Sequence, residues 1–158
     1  IHHTIRSCVL PQSGRNILID GCVGANKNRP NHPDWHRRSG QEWLQALAGE
    51  ELKPEDIDIV MCTHLHADHV GWNTRLENGF WVPTFPNANY VCGRLEYKYW
   101  SNIYKEADKH GAFADSVLPI VETGQMEFVE DGWELEIPHG TPWILFGAGD
   151  SLWYIKAG

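Results

Sequence analysis

Ile57-Asp58-Ile59-Val60-Met61-Cys62-Thr63-His64-Leu65-His66-Ala67-Asp68-His69 is the stretch that decides the fold. Its first half is a short apolar run rich in branched residues, too short for a helix, and reads as an interior strand closing at Cys62. Its second half sets His64, His66, Asp68 and His69 in quick succession. Imidazole and carboxylate are the usual donors to a borderline divalent ion, and no neighbouring cysteine pair suggests a structural thiolate site. In extended chain, residues two apart project to one side, so His64 and His66 are expected to grip one ion from the strand end. A turn at the small Ala67 then aims Asp68 and His69 at a second. The competing reading is a set of solvated loop histidines.

The flanks supply the layers. Thr4 to Leu10 and Asn16 to Asp20 read as strands joined by the glycine-containing Pro11–Arg15 connection. Residues 21 to 38, rich in Gly, Asn, Pro, Arg and His, read as a long surface loop, and its His32 and His36 as solvated. Ser39 to Glu42 matches a capping box ahead of a helix carrying Trp43, Leu44 and Leu47 and stopped at Gly49. Strand, helix, strand predicts an α/β layer, and places the histidine run at the carboxyl end of a strand, where open α/β sheets commonly hold their chemistry. Further on, Asn89 to Cys92 reads as a strand. Arg94 to about His110 reads as a helix with Tyr97, Trp100, Ile103, Tyr104 and Ala107 on one side. Asp131-Gly132 reads as the turn of a hairpin between Phe128–Glu130 and Trp133–Ile137.

Thr-His-x-His-x-Asp-His after an apolar strand resembles the metal-binding motif of the metallo-β-lactamase superfamily. Val70-Gly71-Trp72-Asn73-Thr74, Trp81-Val82-Pro83-Thr84-Phe85-Pro86-Asn87-Ala88 and Glu96-Tyr97-Lys98-Tyr99-Trp100 narrow the likeness to its quorum-quenching-lactonase and methyl-parathion-hydrolase-like branch. The resemblance spans roughly residues 16 to 130. It implies an α/β fold of the αββα sandwich type, a single domain over residues 1–158, and one or two zinc ions, with manganese, iron or cobalt as alternatives. By the same likeness Ile17-Leu18-Ile19-Asp20-Gly21 matches the family's strand ending in Asp-x-Gly, which makes Asp20 a support of the metal site.

The likeness implies His64, His66 and His139 as ligands of a first ion, and Asp68, His69 and Asp150 as ligands of a second. Asp68 is also the catalytic residue, orienting the attacking water or passing a proton to the leaving group. His139 comes from Ile137-Pro138-His139-Gly140-Thr141-Pro142-Trp143, a rearranged form of the family's second cluster, and Asp150 from Gly149-Asp150. Family members carry further strands before the first one here and a later segment with the last ligand of the second ion. The expected fold is therefore a sandwich shortened at both ends, with open sheet edges that favour homo-oligomers. The implied activity is opening of a lactone or cleavage of a related ester by a metal-bound hydroxide.

Composition bounds the rest. With 158 residues, 42% hydrophobic and 22% charged, the chain has the make-up of an ordinary globular domain. A net charge of −8 offers no basic track for a nucleic acid, which counts against a nuclease. Cys8, Cys22, Cys62 and Cys92 read as free thiols, Cys62 as a packing residue, and Trp72, Trp81 and Trp100 as core more than pocket. No apolar run or leader pattern indicates a membrane, so a cytoplasmic location is expected. Two other functions compete: a metal-binding scaffold without turnover, and an iron-dependent redox enzyme on the same fold.

Overall fold

The computed structural model describes residues 5–12, 14–106, 111–135, 144–146 and 153–155; for Gln12, Glu106 and the last two segments only the backbone is considered. Both His139 and Asp150 lie outside the described residues, as do Thr4, Ala107 and Ile137.

Five strands form the main sheet in the order β1-β2-β3-β6-β7. β1 (Cys8–Gln12) is antiparallel to β2 (Arg15–Ile19), which is followed in parallel by β3 (Ile59–Met61), β6 (Asn89–Gly93) and β7 (Met126–Val129). The register sets Leu18 against Val60 and Val60 against Tyr90, so one pleat face runs unbroken through the middle of the sheet. Leu18, Val60, Cys62, Tyr90 and Cys92 point to that face and are fully buried. Ile17, Ile59, Met61, Val91 and Val129 point to the other, where Leu10, Trp133 and Leu135 cover them. Burial on both faces is what a continuous Ile-Val-Met run demands, since parallel strands are rarely wetted on either side.

The helical layer packs on the first face. α1 (Glu42–Gly49) inserts Leu47 beside Ile57, and α3 (Arg94–Glu106) brings Tyr97, Trp100 and Tyr104 onto the same cluster. A π-helical turn (Phe113–Val117) leads into α4 (Leu118–Glu122), which adds Ile120. The short helix α2 (Ala67–Val70), a 3-10 turn (Gly71–Asn73) and the hairpin β4 (Thr74–Glu77) to β5 (Phe80–Pro83) follow the histidine run. β8 (Ile144–Phe146) and β9 (Trp153–Ile155) pair antiparallel.

Several expectations shift. The first hairpin is tighter than expected, because Pro11 and Gln12 belong to β1; proline is tolerated there because β1 is an edge strand. The capping box does not form: the N-cap is Gln41, which makes no side-chain cap bond, and Glu42 opens the helix with its carboxylate folded back over Gly40. Asp131-Gly132 does turn, with Trp133 N–H bonding Glu130 O at 3.2 Å, but no continuous strand forms over 133–135 and β7 pairs only with β6. Residues 21 to 38 are irregular as expected, yet Gly21 to Ala25, Lys27 and Arg29 are buried rather than at the surface.

Candidate metal centre

The ligand run leaves the sheet at Met61, bends through Thr63 and His64, and enters α2 with His66 as an extended N-cap residue (φ −73°, ψ 158°). This helix start, not an extended strand end, arranges the donors. His64, Asp68 and His69 offer ligand atoms that all lie within 4.8 Å of one another. The three therefore cut across the expected pairing of His64 with His66 and Asp68 with His69. His66 stands beside them, its ring perpendicular to that of His64 at 4.6 Å between centroids. The His64 and His69 rings are 3.8 Å apart.

Asp20 aims His69. Its Oδ2 lies 2.8 Å from His69 Nδ1, which leaves Nε2 to face Asp68 Oδ2 at 3.5 Å. The same carboxylate accepts the Thr63 backbone N–H at 2.8 Å and the Thr63 hydroxyl at 2.8–3.0 Å. A histidine that donates one ring nitrogen to a carboxylate is held in the tautomer and orientation that frees the other for an ion.

The backbone at Asp20 is bent to make this possible. Asp20 (φ 60°) and Cys22 (φ 44°) both occupy the left-handed region, costing about 1 kcal/mol each for residues with a Cβ. Backbone bonds offset that cost: Gly21 N–H to His69 O, Gly71 N–H to Cys22 O at 2.7 Å, and Trp72 N–H to Gly21 O at 2.7 Å. Closeness at Gly71 is absolute, since a Cβ there would sit 2.0 Å from the Val23 carbonyl carbon. The loop after β2 and the start of α2 are thus one clasp.

Electrostatics prepares two donors and burdens a third. Burial, together with the charges of His69 and His66, lowers the pKa of His64 and favours the neutral imidazole that an ion requires. The His69 hydrogen bond holds Asp68 below the usual carboxylate range, and so ionised. Burial alone would lower His69, but its bonds to Asp20 and Asp68 prevail and raise it to about 9. An ion must therefore displace a proton from His69.

The donor set fits a first-row divalent ion. Ligands of a tetrahedral zinc stand roughly 3.4 Å apart, given metal–nitrogen and metal–oxygen distances near 2.1 Å. The 3.5 Å between His69 Nε2 and Asp68 Oδ2 already matches, and the 4.8 Å limit asks the remaining side chain for a small rotation.

Other residues sort differently. His32 stacks on Trp35 at 4.3 Å and His36 Nδ1 accepts the Arg29 N–H at 3.0 Å, so neither belongs to the donor group. Cys62 is fully buried with its thiol pushed up to about 12 by burial, as a packing residue should be. Trp72 is core, whereas Trp81 lies over Lys27 Nζ at 3.7 Å and Trp100 meets His66 edge-on at 5.1 Å. Nothing in the sequence flagged the buried Lys27-Arg29-Asp115 cluster. Arg29 pairs with Asp115 through two bonds of 2.7 and 2.8 Å, while Lys27 reaches Thr74 Oγ1 at 2.6 Å and Asp115 O at 3.0 Å. It pins the loop after β2 to the β4–β5 hairpin and the π turn. A cavity of about 730 Å³ lies behind the loop, between Trp35, Trp43 and Trp72, and touches none of the four motif residues.

Comparison with known proteins places this geometry. A probable metallo-hydrolase of Methanocaldococcus jannaschii is 34% identical over 80 residues, which is 51% of this chain and 33% of that protein. Metallo-beta-lactamase domain-containing protein 1 of Xenopus laevis is 35% identical over 85 residues, 54% of this chain and 30% of its own length. The chain thus matches about a third of the length of these curated relatives. Among solved structures, a probable metal-dependent hydrolase from Staphylococcus aureus superposes with a TM-score of 0.60 at 21% identity, over 78% of this chain and 43% of that one. A dizinc quorum-quenching lactonase in complex with a product superposes with a TM-score of 0.58 at 16% identity, over 83% and 45%. These two likenesses are of fold. The family model of the metallo-beta-lactamase superfamily matches residues 5–142, and the chain belongs to that superfamily.

Proposed function

We propose that this chain is a metal-dependent hydrolase domain that opens a lactone or cleaves a related ester, with zinc as its ion. The observation that carries the reading is the convergence of His64, Asp68 and His69 within 4.8 Å, with His69 turned toward Asp68 by Asp20. His66 is the fourth ligand of the run, while His139 and Asp150, outside the described residues, complete the set.

A divalent ion bound there supplies water ionised near neutral pH, against 15.7 in bulk, and a Lewis acid for the substrate oxygen. The protein does the rest. His64 and His66 hold position through the rigid exit from β3, and Asp20 fixes the His69 ring. Asp68 is ionised and half-buried, so it can accept a proton from the attacking water and return it to the leaving oxygen. The preference for a lactone rests on the Gly71-Trp72-Asn73-Thr74 resemblance and is supported by the lactonase among the structural neighbours.

The test is turnover of lactones, aryl esters and phosphotriesters by zinc-loaded wild type and H64A. Lactone or ester hydrolysis that disappears in H64A is the expected result. Equal turnover in both proteins overturns the assignment, and zinc binding with no turnover on any substrate makes the chain a metal-binding scaffold.

A further inference from the structure

We infer that Glu96 is a positioning residue for the metal-ligand run, acting through the Leu65 amide and the Trp100 indole. This rests on the reading of His64 and His66 as ligands. Leu65 lies between them, and its side chain, 2% exposed, anchors the run in the core. Its backbone N–H is not paired within the run; it crosses to α3 and donates to Glu96 Oε1 at 2.9 Å. The same oxygen accepts Trp100 Nε1–H at 2.7 Å. Glu96 and Trp100 are four residues apart and so share one face of α3. Trp100 in turn packs edge-on against the His66 ring at 5.1 Å and 76°.

One acceptor atom therefore sets two things at once: the height of the backbone between the two histidines, and the indole wall against which His66 rests. A carbonyl or carboxylate oxygen has two lone pairs, enough for both donors. Left without it, the Leu65 amide is a partly buried donor with no partner, a state the chain relieves by shifting. α3 follows β6, and β6 is the sheet neighbour of β3, so a strut from α3 to the ligand run is the shortest route between the helical layer and the site. Glu96 needs its oxygen more than its charge, and that separates this role from simple attraction to a cation.

The experiment measures zinc affinity by competition with a chromophoric chelator for wild type, E96A and E96Q of the full chain, with the Tm of each metal-free protein alongside. Glutamine keeps the accepting oxygen. E96A is expected to bind zinc about tenfold or more weakly, the scale seen when the partner of a metal ligand is lost, and E96Q to stay within about threefold of wild type. A purely structural role would lower the Tm of E96A and leave the affinity of the folded protein unchanged. Unchanged affinity in E96A, or equal losses in E96A and E96Q, overturns the proposal. Should wild type bind no zinc, the metal reading fails, and exchange of the Leu65 amide decides on Glu96 by itself: faster exchange in E96A sustains the strut, an unchanged rate refutes it.

Discussion

Replacing Asp20 by Asn tests the clasp at its centre. The carboxylate takes the Thr63 N–H at 2.8 Å, the Thr63 hydroxyl, and His69 Nδ1 at 2.8 Å, and it is only 7% exposed. In the metal-free protein His69 titrates at about 9 against an ordinary 6.5. A histidine whose folded value is raised adds stability in full below 6.5 and loses it as pH climbs through 9. At about 1.4 kcal/mol per pH unit, that amounts to at most about 3 kcal/mol. Asn keeps one acceptor for Thr63 but loses the charge, so His69 falls back toward 6.5 with only Asp68 to support it. The gap in unfolding free energy between wild type and D20N is then widest, near 3–4 kcal/mol, below pH 6.5. It narrows to the roughly 1 kcal/mol of a weakened Thr63 bond above pH 9. Lys27 titrates in the opposite sense, its folded value pulled by burial to about 7 from 10.5, so it adds stability as pH rises over that window. Being common to both proteins, it cancels in the difference. Urea denaturation from pH 5.5 to 9.5, with NMR titration of His69, reads both quantities. A His69 in D20N that still titrates near 9, or a gap that does not change with pH, refutes the reasoning.

Zinc binding should release about one proton below pH 9, since His69 must lose its hydrogen first, so apparent affinity rises with pH up to that value; calorimetry in buffers of different ionisation enthalpy counts the proton. G71A drives a Cβ to 2.0 Å from the Val23 carbonyl carbon, and thermal unfolding should show a loss of about 3 kcal/mol with weakened metal binding, because the clasp must open. D115N strips Arg29 of its bidentate partner inside the core and should cost about 3–5 kcal/mol in urea unfolding. A loss below about 1 kcal/mol would show that the Lys27-Arg29-Asp115 cluster does not hold the loop.

The central strand and its ligand run were legible in the sequence because two short-range signals coincide there: a branched apolar run and a burst of donors. The helix at Tyr97, Trp100 and Tyr104 was legible from its 3.6-residue spacing. The β4–β5 hairpin was not, although Asn78-Gly79 marks it, both with positive φ; its two strands are half-exposed and lack alternation. Lys27 and Arg29 looked like solvent-facing loop charges, because burial of a charge depends on a partner 86 or 88 positions away. Glu96 escaped for the same reason, as its oxygen serves an amide 31 residues earlier. Helix starts depend on where side chains fold back, and Ser39-x-x-Glu42 promised a cap that Glu42 itself forestalls by lying over Gly40.

The most direct test of the account is metal stoichiometry by elemental analysis of zinc-loaded, desalted wild type, H64A and a D68A/H69A double variant. One to two zinc ions per chain in wild type, with less than about a tenth of that in H64A and in the double variant, is the predicted result. Zinc retained at the wild-type level in either variant, or none in wild type, would contradict the claim that His64, Asp68 and His69 are drawn together to hold an ion.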